Sequence, residues 1–338
     1  MPWKQEADPY KIWLSEIILQ QTRVAQGLPY FERFVAAYPT VTELAAAPDD
    51  EVMKLWEGLG YYSRARNLLK AARTVADELD GSFPDTYAGL LQLSGVGPYT
   101  AAAIASFAFG RQVAVLDGNV YRVLSRYAGD ATPIDTGGGR QHFQTLVDRA
   151  LGEADAAKFN QAIMDFGALV CTPKQADCPH CPLADRCSAL AHDRVYNLPV
   201  KANKTKRRDR FFHYLAITDA RGRYLIEQRT AKDVWQQLYQ FPLVEADTIE
   251  LTQEQLVQQS GWPASLEPNQ LIWQGRSAIY QHQLTHQRIT AVFHKASWAR
   301  PQVPTTSYLT ISPAGLAEYA LPRLLHRFLE DSQLRLDL

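Results

Sequence analysis

All four cysteines of this 338-residue chain lie within one short stretch, Cys171, Cys178, Cys181 and Cys187, spaced C-x6-C-x2-C-x5-C. Four thiols this close, behind an N-terminus (Met1-Pro2-Trp3-Lys4) that forms no secretory signal, point to a metal centre rather than disulfides. Zinc and an iron–sulfur cluster both accept four thiolates. Zinc sites more often pair their cysteines as two short knuckles, which the outer gaps of six and five residues do not fit. Two carboxylates also stand out. Glu16 lies in Trp13-Leu14-Ser15-Glu16-Ile17-Ile18-Leu19, among neighbours that leave little polar surface. Burial there would raise its pKa and favour the protonated form, as a general acid near neutral pH requires. Asp117, in Val115-Leu116-Asp117-Gly118-Asn119-Val120, is placed to cap a helix with its own side chain.

These residues need elements to hold them. Asp8-Pro9 starts a helix that the following apolar residues carry to about Gln21. Further helical patterns fall near 28–37, 51–57, 64–79, 86–93, 98–109, 118–127, 140–150 and 157–170. Between two of them, Leu93-Ser94-Gly95-Val96-Gly97-Pro98 predicts a tight hairpin. Gly95 and Gly97 permit positive φ, and the amides of the turn and of the next helix start are suited to holding a phosphate. After about residue 190 the pattern changes. A basic stretch (Lys201, Lys204, Lys206, Arg207, Arg208, Arg210) precedes strand-like runs at Phe211–Thr218, Tyr224–Gln228, Ile279–Leu284 and Ile289–Ala296, with helical patterns at 252–260 and 321–330. The expected organisation is a mainly α region over 1–190, a basic linker over 191–210 and an α+β domain over 211–338. Net charge is −1, so phosphate contacts outside the linker must come from local geometry more than bulk charge. No run of residues is long and apolar enough to span a membrane.

The cysteine spacing, the hairpin at 86–109 and the string Trp13-Leu14-Ser15-Glu16-Ile17-Ile18-Leu19-Gln20-Gln21-Thr22 together resemble the MutY family of the endonuclease III, helix–hairpin–helix superfamily. Leu59-Gly60-Tyr61-Tyr62-Ser63-Arg64 resembles the same family, and Leu238–Glu245 resembles its C-terminal MutT/Nudix-like domain. The resemblance implies a [4Fe–4S] cluster on the loop 171–187 and removal of adenine mispaired with 8-oxoguanine or guanine in double-stranded DNA. It also implies a monomer acting in the cytoplasm, associated with the nucleoid.

It implies site residues too. Glu16 protonates the departing base, and Asp117 stays ionised beneath the cationic sugar, because depurination passes through an oxocarbenium-like state. Tyr99 and Asn119 assist. Gly95 and Gly97 hold a phosphate, Gln21 and Thr22 meet the orphaned base, and Trp3 and Gln161 line the adenine pocket. Leu59 and Tyr61 suit wedging between base steps. Tyr280-Gln281-His282 is matched to the family's Phe-Ser-His triplet at the lesion, with Gln281 in the serine's place. Bifunctional relatives carry a lysine where Tyr99 stands; a phenol cannot form an imine, so a monofunctional glycosylase is expected. The magnesium-binding carboxylates of nucleotide hydrolases are missing from the C-terminal region, so recognition without pyrophosphatase activity is expected. The rivals are an endonuclease III-like lyase, disfavoured by Tyr99, and a non-catalytic lesion-binding or electron-transfer protein, disfavoured by Glu16 and Asp117.

Overall fold

The computed structural model describes residues 6–203, 207–299 and 308–334. Its chain divides into two compact units. One takes Met1–Ala47 and Arg66–Lys204; the other takes Pro48–Ala65 and Thr205–Leu338. The expected division was continuous over 1–190. The structure instead groups 48–65 with the C-terminal residues, because side chains of that segment bond to strands and turns far along the chain, as described below.

The helices before residue 192 are α1 (Pro9–Leu19), α2 (Val24–Ala37), α3 (Val41–Ala46), α4 (Asp49–Leu55), α5 (Ser63–Glu78), α6 (Tyr87–Leu90), α7 (Pro98–Phe109), α8 (Gly118–Ala128), α9 (Gly137–Leu151), α10 (Ala156–Leu169) and α11 (Ser188–Ala191). Asp8 caps α1, its side chain accepting Tyr10 N–H at 2.9 Å, with Pro9 at the first helical position. Helix α1 is buried on nearly every side: Trp13, Leu14, Ile17 and Ile18 are 2% exposed or less. It packs on α2 and α7, and α10 packs on α7 and α8. Around α7 the core is made of small residues (Ala102, Ala103, Ala114) with Val115, Val120 and Val147, which brings backbones close together. The expected α1 ends two residues early, and α3 carried no expectation. Its Thr40–Glu43 capping box stabilises a helix too short to show periodicity.

The second unit carries a mixed eight-stranded sheet: β1 (Arg208–Thr218), β2 (Tyr224–Gln228), β3 (Tyr239–Gln240), β4 (Leu243–Ala246), β5 (Leu271–Arg276), β6 (Tyr280–Gln283), β7 (Gln287–Trp298) and β8 (Leu309–Ile311). The central pair β1–β7 is parallel, with Tyr214 opposite Phe293. Strand alternation splits β1 between two cores. Leu215 and Ile217 face a cluster with Leu256 of α12 (Gln253–Val257). Phe212 and Tyr214 join the aromatic side, where Tyr214 stacks on Phe293 and Phe293 on Phe328 of α13 (Arg323–Leu334) at 4.1 Å. The strands β3, β4, β5 and β8 carried no expectation. They are short, or interrupted by a bulge between Trp273 and Gly275, so no alternating run marks them.

The expected basic linker is shorter than 191–210. Strand β1 begins at Arg208, and Arg210 is buried, donating to both oxygens of Asp233 and of Glu245 at 2.6–2.8 Å. That guanidinium is committed to a structural network. Lys204 and Lys206 lie outside the described residues. Among the described residues, no helix is long and apolar enough to cross a membrane.

Candidate active site

A cavity of about 960 Å³ opens in the first unit. Glu16, Tyr99, Asp117, Asn119 and Gln161 all line it, with Gln20, Gln21 and Met164. Residues more than 140 positions apart thus meet at one space, brought there by α1, α7, α8 and α10.

Glu16 is buried on the inward side of α1. Desolvation pushes its carboxyl up to about 7; the negative charge of Asp117 adds to this, and a hydrogen bond from Tyr99 opposes it. The Tyr99 hydroxyl sits between that carboxyl and Met164 Sδ, 3.4 Å away. Burial and the two nearby carboxylates push the phenol well above its ordinary value, so it stays a donor.

Asp117 caps α8. One oxygen accepts Val120 N–H at 2.8 Å and the other accepts Asn119 Nδ2 at 2.8 Å. Burial raises its pKa, against the pull of those bonds and of Arg122. Arg122 Nη2 donates to Asn119 Oδ1 at 2.8 Å, which fixes the amide so that its NH₂ faces Asp117. The same guanidinium reaches Gly167 O at 2.6 Å and Cys171 O at 2.7 Å. Helices α8 and α10 can approach this closely because residue 167 is glycine; a Cβ there would lie 2.7 Å from Asn119 Cβ.

Asn160 is a residue the sequence reading missed. Fully buried on α10, it accepts Val115 N–H at 3.0 Å and donates to Val113 O and Ser106 Oγ at 2.9 Å each. It holds the segment that delivers Asp117. An amide on a helix that also carries the apolar Phe159, Ala162 and Ile163 was the available signal.

In the hairpin, only Gly95 has positive φ (77°); Gly97 is at −90° and precedes α7. A Cβ at Gly95 would meet Asn67 at 2.8 Å. Gly97 caps α7 without a side-chain acceptor, so the first amides of that helix face outward. Gln20 Nε2 reaches Thr100 Oγ1 at 3.2 Å and Gly95 O at 3.4 Å, tying α1 to the hairpin. Gln21 has a left-handed backbone (φ 55°) and an exposed side chain, while Thr22 is half-buried beside it. Trp3 lies outside the described residues.

The four cysteines line one small cavity with Arg126, Val170 and Ala184. Arg126 of α8 is buried and grips the loop, donating to Thr172 O at 2.8 Å and Pro173 O at 3.2 Å, with Cys171 Sγ at 3.4 Å. The donor set and the enclosing walls fit a thiolate-bound group. Among the described residues, no three His, Cys, Asp or Glu side chains converge closely enough to hold a single ion.

In the second unit Tyr61, with φ 47°, is held out at 48% exposure, and its hydroxyl lies 2.7 Å from Thr285 Oγ1. Leu59 is buried, so its side chain is not free to act as a wedge; the turn turns it into the core and Tyr61 outward. Tyr280 is likewise unavailable to a ligand. It is 6% exposed, packs on Phe293 and Phe328, and donates to Asp331 at 2.7 Å. Gln281 is exposed, and His282 is half-buried against Trp235. The turn between β6 and β7 is Leu284-Thr285-His286, with Thr285 and His286 exposed. Leu-Thr-His keeps the apolar–hydroxyl–imidazole order of Phe-Ser-His better than Tyr-Gln-His does.

The profile of HhH-GPD superfamily base excision DNA repair proteins matches residues 14–148, and that of the NUDIX domain matches 213–331. The adenine DNA glycosylase of Buchnera aphidicola subsp. Baizongia pistaciae is 34% identical over 246 residues, covering 72% of this chain and 68% of that protein. Its counterpart in Buchnera aphidicola subsp. Schizaphis graminum is 36% identical over 242 residues, covering 72% and 70%. The Homo sapiens adenine DNA glycosylase is 42% identical over 198 residues, covering 56% and 36%. A thermostable thymine-DNA glycosylase superposes with a TM-score of 0.53 at 29% identity, over 57% of this chain and 88% of that one. An endonuclease III trapped in a covalent DNA intermediate shares the fold, with a TM-score of 0.50 at 24% identity over 55% and 86%.

Proposed function

The chain belongs to the adenine DNA glycosylase family, and from that premise we propose that it excises adenine mispaired with 8-oxoguanine or guanine in double-stranded DNA. The supporting observation is that Glu16 and Asp117 share one cavity: burial lifts Glu16 to about 7, while Val120 N–H, Asn119 and Arg122 favour the anion of Asp117 against its own burial. Its volume lies within the range of small-ligand sites and suits a flipped nucleoside.

Glu16 enters the reaction protonated and gives its proton to N7 of the base. The C1′–N9 bond breaks, its electron pair leaves with adenine, and the sugar becomes an oxocarbenium-like cation. Asp117, ionised and held by Val120 N–H and Asn119, stabilises that cation from below. The course is retaining: Asp117 holds C1′ until water adds there, its proton passing to the Glu16 carboxylate, which restores the acid. Gln161, bonded to Asp165 at 3.0 Å on the cavity wall, reads the base edge. With Tyr99 in the lysine's place no imine forms, so the product is an intact abasic strand. The outward amides of Gly97 and the start of α7 hold a phosphate of the DNA backbone, and Gln21 and Thr22 meet the orphaned base.

Cys171, Cys178, Cys181 and Cys187 would hold a [4Fe–4S] cluster, whose contribution is to shape the loop that Arg122 and Arg126 grip. The C-x6-C-x2-C-x5-C spacing favours a cluster over zinc, whose cysteines more often come as two short knuckles. In the second unit Tyr61 acts as the wedge and Thr285 offers a hydroxyl to the lesion. A monomer in the cytoplasm, at the nucleoid, fits this reading.

The test is single-turnover adenine release from an 8-oxoguanine:A duplex, compared with T:A and 8-oxoguanine:C. Fast release from the first alone, without strand breaks before alkali, supports the proposal. Wild-type release by Glu16→Gln, or strand nicking at the rate of base loss, refutes it.

A further inference from the structure

Residues 48–65 stand apart in sequence from the rest of their unit, and acidic side chains hold them there. Asp49 accepts Gln237 Nε2 at 3.0 Å, and Asp50 accepts Tyr239 OH and Gln228 Nε2 at 2.9 Å each. Glu57 is the most heavily used. One oxygen accepts Leu321 N–H at 2.7 Å and faces His326 Nε2 at 2.8 Å. The other meets Lys54 Nζ at 2.5 Å, and Lys54 also donates to Tyr319 O at 3.0 Å. The turn that follows is rigid. Trp56 Nε1 donates to Gly60 O at 3.0 Å, Gly58 N–H donates to the Tyr62 hydroxyl at 3.1 Å, and Arg64 Nη2 reaches Gly60 O at 3.1 Å. The turn ends in Tyr61, bonded to Thr285 at the tip of the β6–β7 hairpin.

A stiff turn with one end anchored and the other end reading the hairpin transmits any shift of its anchor. We infer that Glu57 is a positioning residue for lesion discrimination: its bonds to Leu321 and His326 set where Tyr61 meets Thr285. This rests on the proposed reading of Tyr61 and Thr285 as lesion contacts. Glu57 itself touches no substrate. A hydrogen bond to a charged group is strong enough for its loss to matter, and specificity is a difference between two binding free energies. Misplacing Tyr61 therefore lowers the preference for 8-oxoguanine over guanine and leaves base cleavage intact.

The experiment is single-turnover adenine excision by the full chain on 8-oxoguanine:A and G:A duplexes, with melting temperatures taken alongside. Glu57→Ala and His326→Ala should lower the 8-oxoguanine:A over G:A ratio by about tenfold, with the G:A rate unchanged. Glu57→Gln keeps an acceptor for Leu321 N–H and should recover most of the ratio. Adding Thr285→Val to Glu57→Ala should cost little more, because both act through the same contact. Equal losses on both duplexes, or an unchanged ratio in a folded variant, overturn the inference. If Glu57→Ala does not fold, His326→Ala, at a part-exposed side chain, decides the matter by the same ratio. A wild-type enzyme with no preference sinks the functional reading first, and the two failures are thereby distinguishable.

Discussion

The Tyr99 hydroxyl and the Glu16 carboxyl are hydrogen-bonded across the wall of the cavity, and each perturbs the other's protonation. Burial raises Glu16 to about 7, and the phenol restrains that rise by favouring the anion. Activity that needs protonated Glu16 and ionised Asp117 should follow a bell-shaped pH profile, falling on the basic side through about pH 7. Tyr99→Phe removes the restraint. Its basic limb should move to higher pH, measured as single-turnover rate against pH; an unmoved or lower limb would contradict the assignment.

Glu16 costs the fold stability once it ionises. Its folded-state pKa lies above its ordinary 4.5. The native state therefore holds a proton that the unfolded chain gives up between pH 4.5 and about 7, so this group's contribution is intact below 4.5 and lost as pH rises through 7. Glu16→Gln should abolish excision yet raise stability at pH 8 by about 3 kcal/mol, from 1.36 kcal/mol per pKa unit. At pH 4.5 the gain should largely vanish. Denaturant melts at the two pH values measure both arms.

Asp117→Asn separates capping from catalysis. Asparagine caps helices as well as aspartate, so Val120 N–H keeps an acceptor and the melting temperature should hardly change. The excision rate should fall by about 10²–10⁴-fold, since a neutral amide cannot stabilise the sugar cation. A variant that melts much lower while retaining its rate would assign Asp117 to the helix alone.

Asn160→Leu fits the volume but strips Val115 N–H and Val113 O of their buried partner. Stability should drop by about 2–4 kcal/mol, and the excision rate should fall with it, because that segment carries Asp117. Chemical denaturation together with a rate measured well below the melting point distinguishes misplacement from unfolding.

Glu16, Asp117 and the cysteine run stood out in the sequence because each is a local pattern. A carboxyl among apolar neighbours, an aspartate before a helix and four close cysteines all declare a chemistry within a few residues. The helices followed for the same reason, since apolar periodicity is local. Tyr280 shows the limit. Its triplet looked like a lesion contact, and strand pairing turned its ring into the core, five residues before the exposed Thr285. Leu59 and Arg210 were lost in the same way, buried by partners that no spacing rule reveals.

Sequence by itself named the candidate groups. Only the tertiary structure decided that Glu16 and Asp117 open on the same cavity, that Asn160 and Arg122 brace the segment around Asp117, and that residues 48–65 pack with the C-terminal strands. The reason is physical: propensity, capping and thiol spacing act over a few residues, whereas pKa, burial and docking depend on neighbours a hundred or more positions away. A chain segment shows its own preferences, and its environment exists only once the remote segments have folded around it.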